Sequence, residues 1–227
     1  MLGVFDSGVG GLSALAVLRK LLKNEDLVFF ADKENAPYGT KTSEELASLV
    51  KSDVEQLFGF GAEKILMACC TASTVYDRLP KWQRDICYPI IEPTADAAAA
   101  ATKNGIIGVL ATEATVRSEA FTNALLTNDS VKNVIEIPAR DLVTAIENGA
   151  RDLTVSPAQT ALIDGLVRPL RESGADTLVL GCTHFPHLEK TIGALMPGVK
   201  LISSSEEGAR NIAKHAKNTG KGRTFYI

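Results

Sequence analysis

The sequence predicts an α/β protein made of two similar halves with parallel sheets and a cleft between them. Two observations carry this. Strand-like and helix-like segments alternate almost throughout the 227 residues, which is the pattern of parallel α/β architecture. One stretch also occurs twice, as GAEKILMACCTAS (Gly61–Ser73) and GADTLVLGCTHFP (Gly174–Pro186). Each copy reads Gly-Ala, an acid, a variable position, a short apolar run, a small residue and then cysteine. Gly61 and Cys69 lie eight positions apart, and so do Gly174 and Cys182. Such runs suit strands buried on both faces, and open α/β sheets bind ligands at the edge where their strands end.

The elements follow in order. Leu2–Phe5 reads as the first strand and DSGVGG (Asp6–Gly11) as the turn after it. Leu12–Leu22 has helical spacing, and Leu27–Ala31 is a strand that runs into Asp32. NAPYGT (Asn35–Thr40) is a loop. Thr42–Gly59 is an amphipathic helix with Ser43 as N-cap and Glu44 and Glu45 in its first turn. Ile65–Ala68 is the strand before Cys69, with a helix from about Thr74 and a strand over Tyr88–Ile91 that ends at Glu92-Pro93. The pattern then restarts. Thr94–Thr102 is helical, Ile106–Leu110 a strand, and ATEATVRS (Ala111–Ser118) leads a helix through Leu126. Val134–Ile137 is a strand, Asp141–Asn148 a helix capped by Gly149, and Pro157–Glu172 a long helix. Leu178–Gly181 precedes Cys182. Pro186–Leu195 is a helix, Val199–Ile202 the last strand, and Glu206–Lys217 the last helix.

The first strands match as well: Gly3-Val4-Phe5-Asp6-Ser7 aligns with Gly108-Val109-Leu110-Ala111-Thr112. From first-strand glycine to cysteine is 66 positions in one half and 74 in the other. This is a duplication too long for a solenoid repeat. The expected division is residues 1–92 plus 206–227 in one domain and 93–205 in the second, with the chain returning near Ser203–Ser205.

Composition sets the class. Hydrophobic residues are 45% and charged residues 22%, the values of a globular protein with a real core. A net charge of −3 gives no electrostatic case for nucleic acid or an anionic membrane. No apolar run approaches membrane-spanning length, and the N-terminus lacks the basic region and apolar core of a signal peptide. A cytoplasmic protein is expected. The four cysteines form neither a disulfide scaffold nor the paired CxxC spacing of a zinc site.

Cys69 and Cys182 are the candidate catalytic thiols. A cysteine at a strand end is more often a small buried hydrophobe. Two at duplicated positions, each opening a polar turn into a helix, point instead to one site approached from both halves. Thr71, Ser73, Thr183 and His184 follow them. The hydroxyls can cap helices or bind a substrate carboxylate, and His184 suits a general acid/base or thiol-tuning role. DSGVGG fits neither a dinucleotide fingerprint nor a phosphate loop. Its glycines let the backbone turn sharply near a small ligand. Asp6 ends a strand in the cleft, as N-cap or as a perturbed acid. Tyr38 is either a lid or a core aromatic. Glu147, near a helix end, is a solvated acid by default. Cys87 reads as structural, and His187 and His215 have no evident role.

Taken together, DSGVGG, PYGT, ACCTAS, ATEATVRS and GCTHFP stand in order over nearly the whole chain, and the sequence resembles the glutamate racemase family of the cofactor-independent aspartate/glutamate racemases. The resemblance implies an isomerase with two α/β domains in pseudo-twofold relation and the site between them. It implies no cofactor, glutamate as substrate, a role in peptidoglycan precursor supply, and a homodimer. It casts Cys69 as the base for D-glutamate and Cys182 for L-glutamate, with Asp6 and His184 as their acid/base partners. Ser7, Pro37, Tyr38, Gly39, Thr71, Thr112, Thr115 and Thr183 match substrate-holding positions, and Glu147 a further acid. Cys70 departs from the family, which carries Asn there to bind polar groups of the substrate. That departure motivates two alternatives: a different amino acid as substrate, or a weakly catalytic ligand-binding relative. The resemblance also leads to the expectation that the chain is short at its C-terminus beside longer relatives and is without the N-terminal extension some of them use for effector control.

Overall fold

The computed structural model describes residues 1–147, 149, 152 and 154–227. The first part runs β1 (Leu2–Asp6), α1 (Leu12–Leu21), β2 (Leu27–Ala31), α2 (Ser43–Gly59), β3 (Lys64–Met67), α3 (Cys70–Ser73), α4 (Lys81–Ile86) and β4 (Cys87–Pro89). Next come α5 (Ile91–Ala101), β5 (Ile106–Ala111), α6 (Glu113–Arg117), α7 (Ala120–Leu125), β6 (Asn133–Pro138) and α8 (Arg140–Glu147). They are followed by α9 (Pro157–Glu172), β7 (Thr177–Gly181), α10 (Glu189–Leu195), β8 (Lys200–Ser203), α11 (Ser204–Ala213) and β9 (Thr224–Tyr226).

The strands form two parallel sheets, ordered β4-β3-β1-β2-β9 and β6-β5-β7-β8. Without β9 the two orders are the same. The first strand of each half is central, its successor lies on one side, and the cysteine strand lies on the other. The register repeats too. Phe5 pairs with Met67 and Leu110 with Leu180, so Cys69 and Cys182 each stand two residues beyond an equivalent pair. β1 and β7 are buried along their whole length, as strands covered by helices on both faces must be. Gly3 and Gly108 let the covering residues come close. A Cβ would lie 3.0 Å from Ala62 Cβ at Gly3 and 2.9 Å from Leu170 Cδ1 at Gly108. Apolar clusters pack both faces of each sheet, with Cys69 in one of them and Cys182 in another.

Several elements differ from expectation for local reasons. Thr42, not Ser43, caps α2. Its hydroxyl accepts the Glu45 N–H at 3.2 Å, and the Glu45 carboxylate accepts the Thr42 N–H at 2.8 Å. The helix expected from Thr74 is broken into a 3₁₀ turn at Tyr76–Arg78 and α4, because Pro80 cannot continue a helical ladder. The Tyr88–Ile91 strand lies at Cys87–Pro89, and Glu92-Pro93 falls in the first turn of α5, where a missing N–H is harmless. The helix through Leu126 is interrupted at Glu119, which adopts a left-handed φ of 56°. Tyr38–Thr40 and Phe185–Leu188 are 3₁₀ turns. The last helix ends at Ala213, before the expected Lys217. Asn148, the expected end of the 141–148 helix, lies outside the described residues.

The chain leaves the first sheet after β4 and comes back to it through α11, which packs on α1 and α5, and through β9 beside β2. Among the described residues no helix is long and apolar enough to cross a membrane.

Candidate active site

The strand ends of both halves open on one cavity of about 170 Å³. Cys69, Cys70 and Thr71 reach it from the end of β3, and Ser7 from the end of β1. Pro37, Tyr38 and Gly39 form one wall. Cys182, Thr183 and His184 come from the end of β7, Thr112 from β5 and Glu147 from α8. Asp6 and Thr115, singled out from the sequence alongside these residues, do not line the cavity. Both are fully buried one layer behind it, bonded to residues that do line it.

The two thiols have parallel but unequal settings. Cys69 is the N-cap of α3, and its sulfur accepts the Ala72 N–H at 3.5 Å, with Ser7 Oγ at 3.7 Å. Burial pushes its pKa up to about 11, with the Asp6 charge acting in the same direction and the Ala72 and Ser7 hydrogen bonds opposing. Burial also holds Cys182 well above the usual thiol value, against the backbone N–H of His184. The His184 ring meets this sulfur through Nδ1 at 3.5 Å, while its Nε2 lies 3.7 Å from Glu147 Oε1. Glu147 is 52% exposed, so it joins solvent to a buried histidine. Burial in an apolar strand end thus stores both sulfurs as neutral thiols.

Asp6 faces both halves. Its carboxylate accepts the Gly8 N–H at 3.1 Å and the Thr183 hydroxyl at 3.2 Å, yet burial raises its pKa to about 6. Three threonine hydroxyls bridge the halves in a triangle. Thr71 lies 2.9 Å from Thr112 and 3.1 Å from Thr115, which are themselves 2.9 Å apart. Thr71 and Thr112, which line the cavity, can turn a proton outward while Thr115 stays bonded behind them, so the triangle can donate to an anion there without moving a backbone.

Tyr38 is a core aromatic rather than a lid. It is buried, and its hydroxyl points away from the cavity to Asp32 and Asp53. Cys70 lies flat against the wall, its thiol 3.3 Å from Ser204 Oγ. Reading the sequence missed Glu113, Arg140 and Thr144, which also line the cavity. Arg140 pairs loosely with Glu113 at 3.9 Å. It begins the helix just after β6, so the rule that ligands meet strand ends could have found it.

Two α/β halves that each send a thiol into one cavity define the architecture of this protein. The family model described as Asp/Glu/Hydantoin racemase matches residues 13–212, and the chain belongs to that family. A glutamate racemase of Ectopseudomonas mendocina is 40% identical over 220 residues, covering 93% of this chain and 80% of the relative. Among solved structures, a glutamate racemase from Bacillus anthracis superposes with a TM-score of 0.88 at 32% identity, over 100% of this chain and 86% of that one. One from Francisella tularensis, solved in complex with D-glutamate, gives 0.87 at 25% identity over 99% and 86%.

Proposed function

We propose that the protein interconverts L- and D-glutamate by direct proton transfer between two cysteines, without a cofactor. The observation that supports this most is the repeated register that delivers Cys69 and Cys182 to one small cavity from separate sheets. One thiolate removes the α-proton. The electron pair left on the α-carbon is held by the α-carboxylate, which the Thr71 and Thr112 hydroxyls, backed by Thr115, suit by hydrogen bonding. The opposite thiol then gives its proton to the other face and becomes the thiolate. Cys69 serves D-glutamate with Asp6 as partner, and Cys182 serves L-glutamate with His184. Ser7, Thr183 and the wall at Pro37–Gly39 hold the remaining polar groups, and Glu147 orients His184. The division at residues 1–92 plus 206–227 against 93–205 places one thiol in each domain. On this reading the protein is a cytoplasmic homodimer that supplies D-glutamate for peptidoglycan.

The two acidities show what the substrate must contribute. Cys69 holds its proton more tightly than Asp6 holds its own, mainly because burial disfavours the thiolate, so proton transfer between them is uphill in the free protein. A substrate ammonium beside Cys69 stabilises its thiolate. The thiols therefore become bases when an amino acid enters.

The test is incubation with L-glutamate, D-glutamate or L-aspartate in D₂O with no added cofactor, followed by α-deuterium incorporation and circular dichroism. Glutamate is expected to exchange and racemise, and added pyridoxal phosphate to change nothing. No exchange with any acidic amino acid would sink the proposal. Exchange with aspartate alone would favour the alternative substrate that Cys70 suggests. Cys70→Asn supplies a donor and an acceptor where the thiol offers little, and is expected to raise kcat/KM for glutamate several-fold. A fall would give Cys70 a role of its own.

A further inference from the structure

The Tyr38 hydroxyl lies between two buried carboxylates, 2.5 Å from Asp32 Oδ2 and 2.7 Å from Asp53 Oδ2. Asp32 follows β2, and Asp53, only 2% exposed, sits in the middle of α2. We propose that Asp53 is a protonated, neutral carboxylic acid that donates to Tyr38 Oη, and that through this bond it is a positioning residue for the cavity wall at Pro37–Gly39. The inference rests on the racemase reading only where it speaks of substrate.

Counting protons carries it. Both contacts have hydrogen-bond length, so each requires a proton. The phenol has one, and an ionised carboxylate only accepts. The second proton must therefore sit on a carboxyl group. Asp32 has a second donor, the Asn35 side-chain amide at 2.9 Å, which supports a negative charge. Among the described residues Asp53 has Tyr38 as its hydrogen-bond partner and no other. The chain of donors runs Asp53 O–H to Tyr38 O–H to the Asp32 carboxylate. Two ionised aspartates would leave one of them facing the phenol oxygen without a proton between, buried and repelled.

The placement gives this chain of bonds a task. Tyr38 is the anchor of the wall, and its ring is packed in the core under α2. Loss of one bond to its hydroxyl frees the ring to shift, and the flanking Pro37 and Gly39 backbone shifts with it. Tyr38 and Asp32 are the ionisable groups that face Asp53 from the elements packed on α2. Burial is the main cause that raises Asp53 to about 7, with the Asp32 charge in support and the Tyr38 hydrogen bond opposing. A raised carboxyl means the folded state holds the proton more tightly than the unfolded one. The stability this group contributes is complete at low pH and is lost as pH rises through about 7.

The experiment uses wild-type protein, Asp53→Asn and Asp53→Ala. The amide that Asp53→Asn introduces still donates to Tyr38, so it imitates the neutral acid and not the carboxylate. The infrared difference spectrum between wild type and D53N, taken at about pH 6, should show a protonated-carboxyl C=O band that fades by about pH 8. D53N should lose the fall in Tm that wild type shows over that interval. With glutamate, D53A is expected to raise KM about tenfold with kcat changed far less, a wall displaced rather than a base removed. D53N should restore KM to within about threefold and flatten its pH profile. Absence of the band, or a D53N as impaired in KM as D53A, would overturn the proposal. Should D53A not fold, the band, the Tm profile and the D53N kinetics still decide it. Should the wild type not racemise glutamate, the racemase reading fails while the band and the Tm profile still judge the proton on Asp53.

Discussion

Serine in place of Cys69 or of Cys182 is expected to abolish racemisation, with a loss on the order of 10²–10⁴-fold or more. The substitution is nearly isosteric and each position is tightly packed, so the fold should persist. A hydroxyl in the same buried setting is a far weaker acid than the thiol, and no neighbouring group is basic enough to ionise it. The two variants should fail differently. With Cys182 intact, Cys69→Ser should still exchange the α-proton of L-glutamate with D₂O slowly, without forming the D-isomer. Cys182→Ser should do the same for D-glutamate only. Proton NMR of the α-position read beside circular dichroism separates exchange from inversion. A single variant that racemises at the wild-type rate would remove the two-base mechanism.

Gly10→Ala should also be strongly damaging. An added Cβ would fall on Thr183 Oγ1, and within 3.1 Å of His184 Cε1. Thr183 cannot yield freely, because its hydroxyl serves Asp6 and its carbonyl accepts from Ser13 at 3.3 Å. The turn after β1 and the turn after β7 would be forced apart, which moves Asp6 and His184 together. Overpacking of this kind costs about 1–3 kcal/mol of stability. The larger effect is expected on kcat/KM, about 10²-fold, since displacements of this size spoil proton-transfer geometry. Thermal unfolding measured with kinetics checks it: a variant with unchanged kcat/KM would show that the two turns are independent.

The parts legible in the sequence are those written in local pattern. Strands covered on both faces read as short apolar runs, and the duplicated Gly-to-Cys spacing set the register that brings Cys69 and Cys182 to one edge. Thr71 and Thr183 were legible for the same reason, as polar residues just past strand ends, whereas Ser7 and Thr112 were reached only through the family resemblance. Asp53 was not. In the middle of an amphipathic helix an acid reads as solvated, and only the fold brings it to Tyr38. Arg140 was passed over because an arginine that opens a helix after a strand looks like any surface cation. β9 escaped notice because it is three residues long and largely exposed, held by pairing with β2 rather than by an apolar run of its own. The broken helices around Pro80 and Glu119 depend on backbone stops that helical spacing alone does not register.

Because the chain passes out of the first sheet after β4 and comes back at α11, the second sheet is tethered by two covalent strands rather than one. A body held at two points cannot swivel; it turns only about the line between them, like a door on a pair of pins. One pin lies where α11 begins, and there Ser204 donates to the Leu180 carbonyl at 2.8 Å and accepts from the Cys70 thiol. Points near such an axis sweep small arcs. Cys70 and Leu180, the groups bonded at that pin, stand beside Cys69 and two residues before Cys182, so turning about the line moves both sulfurs little.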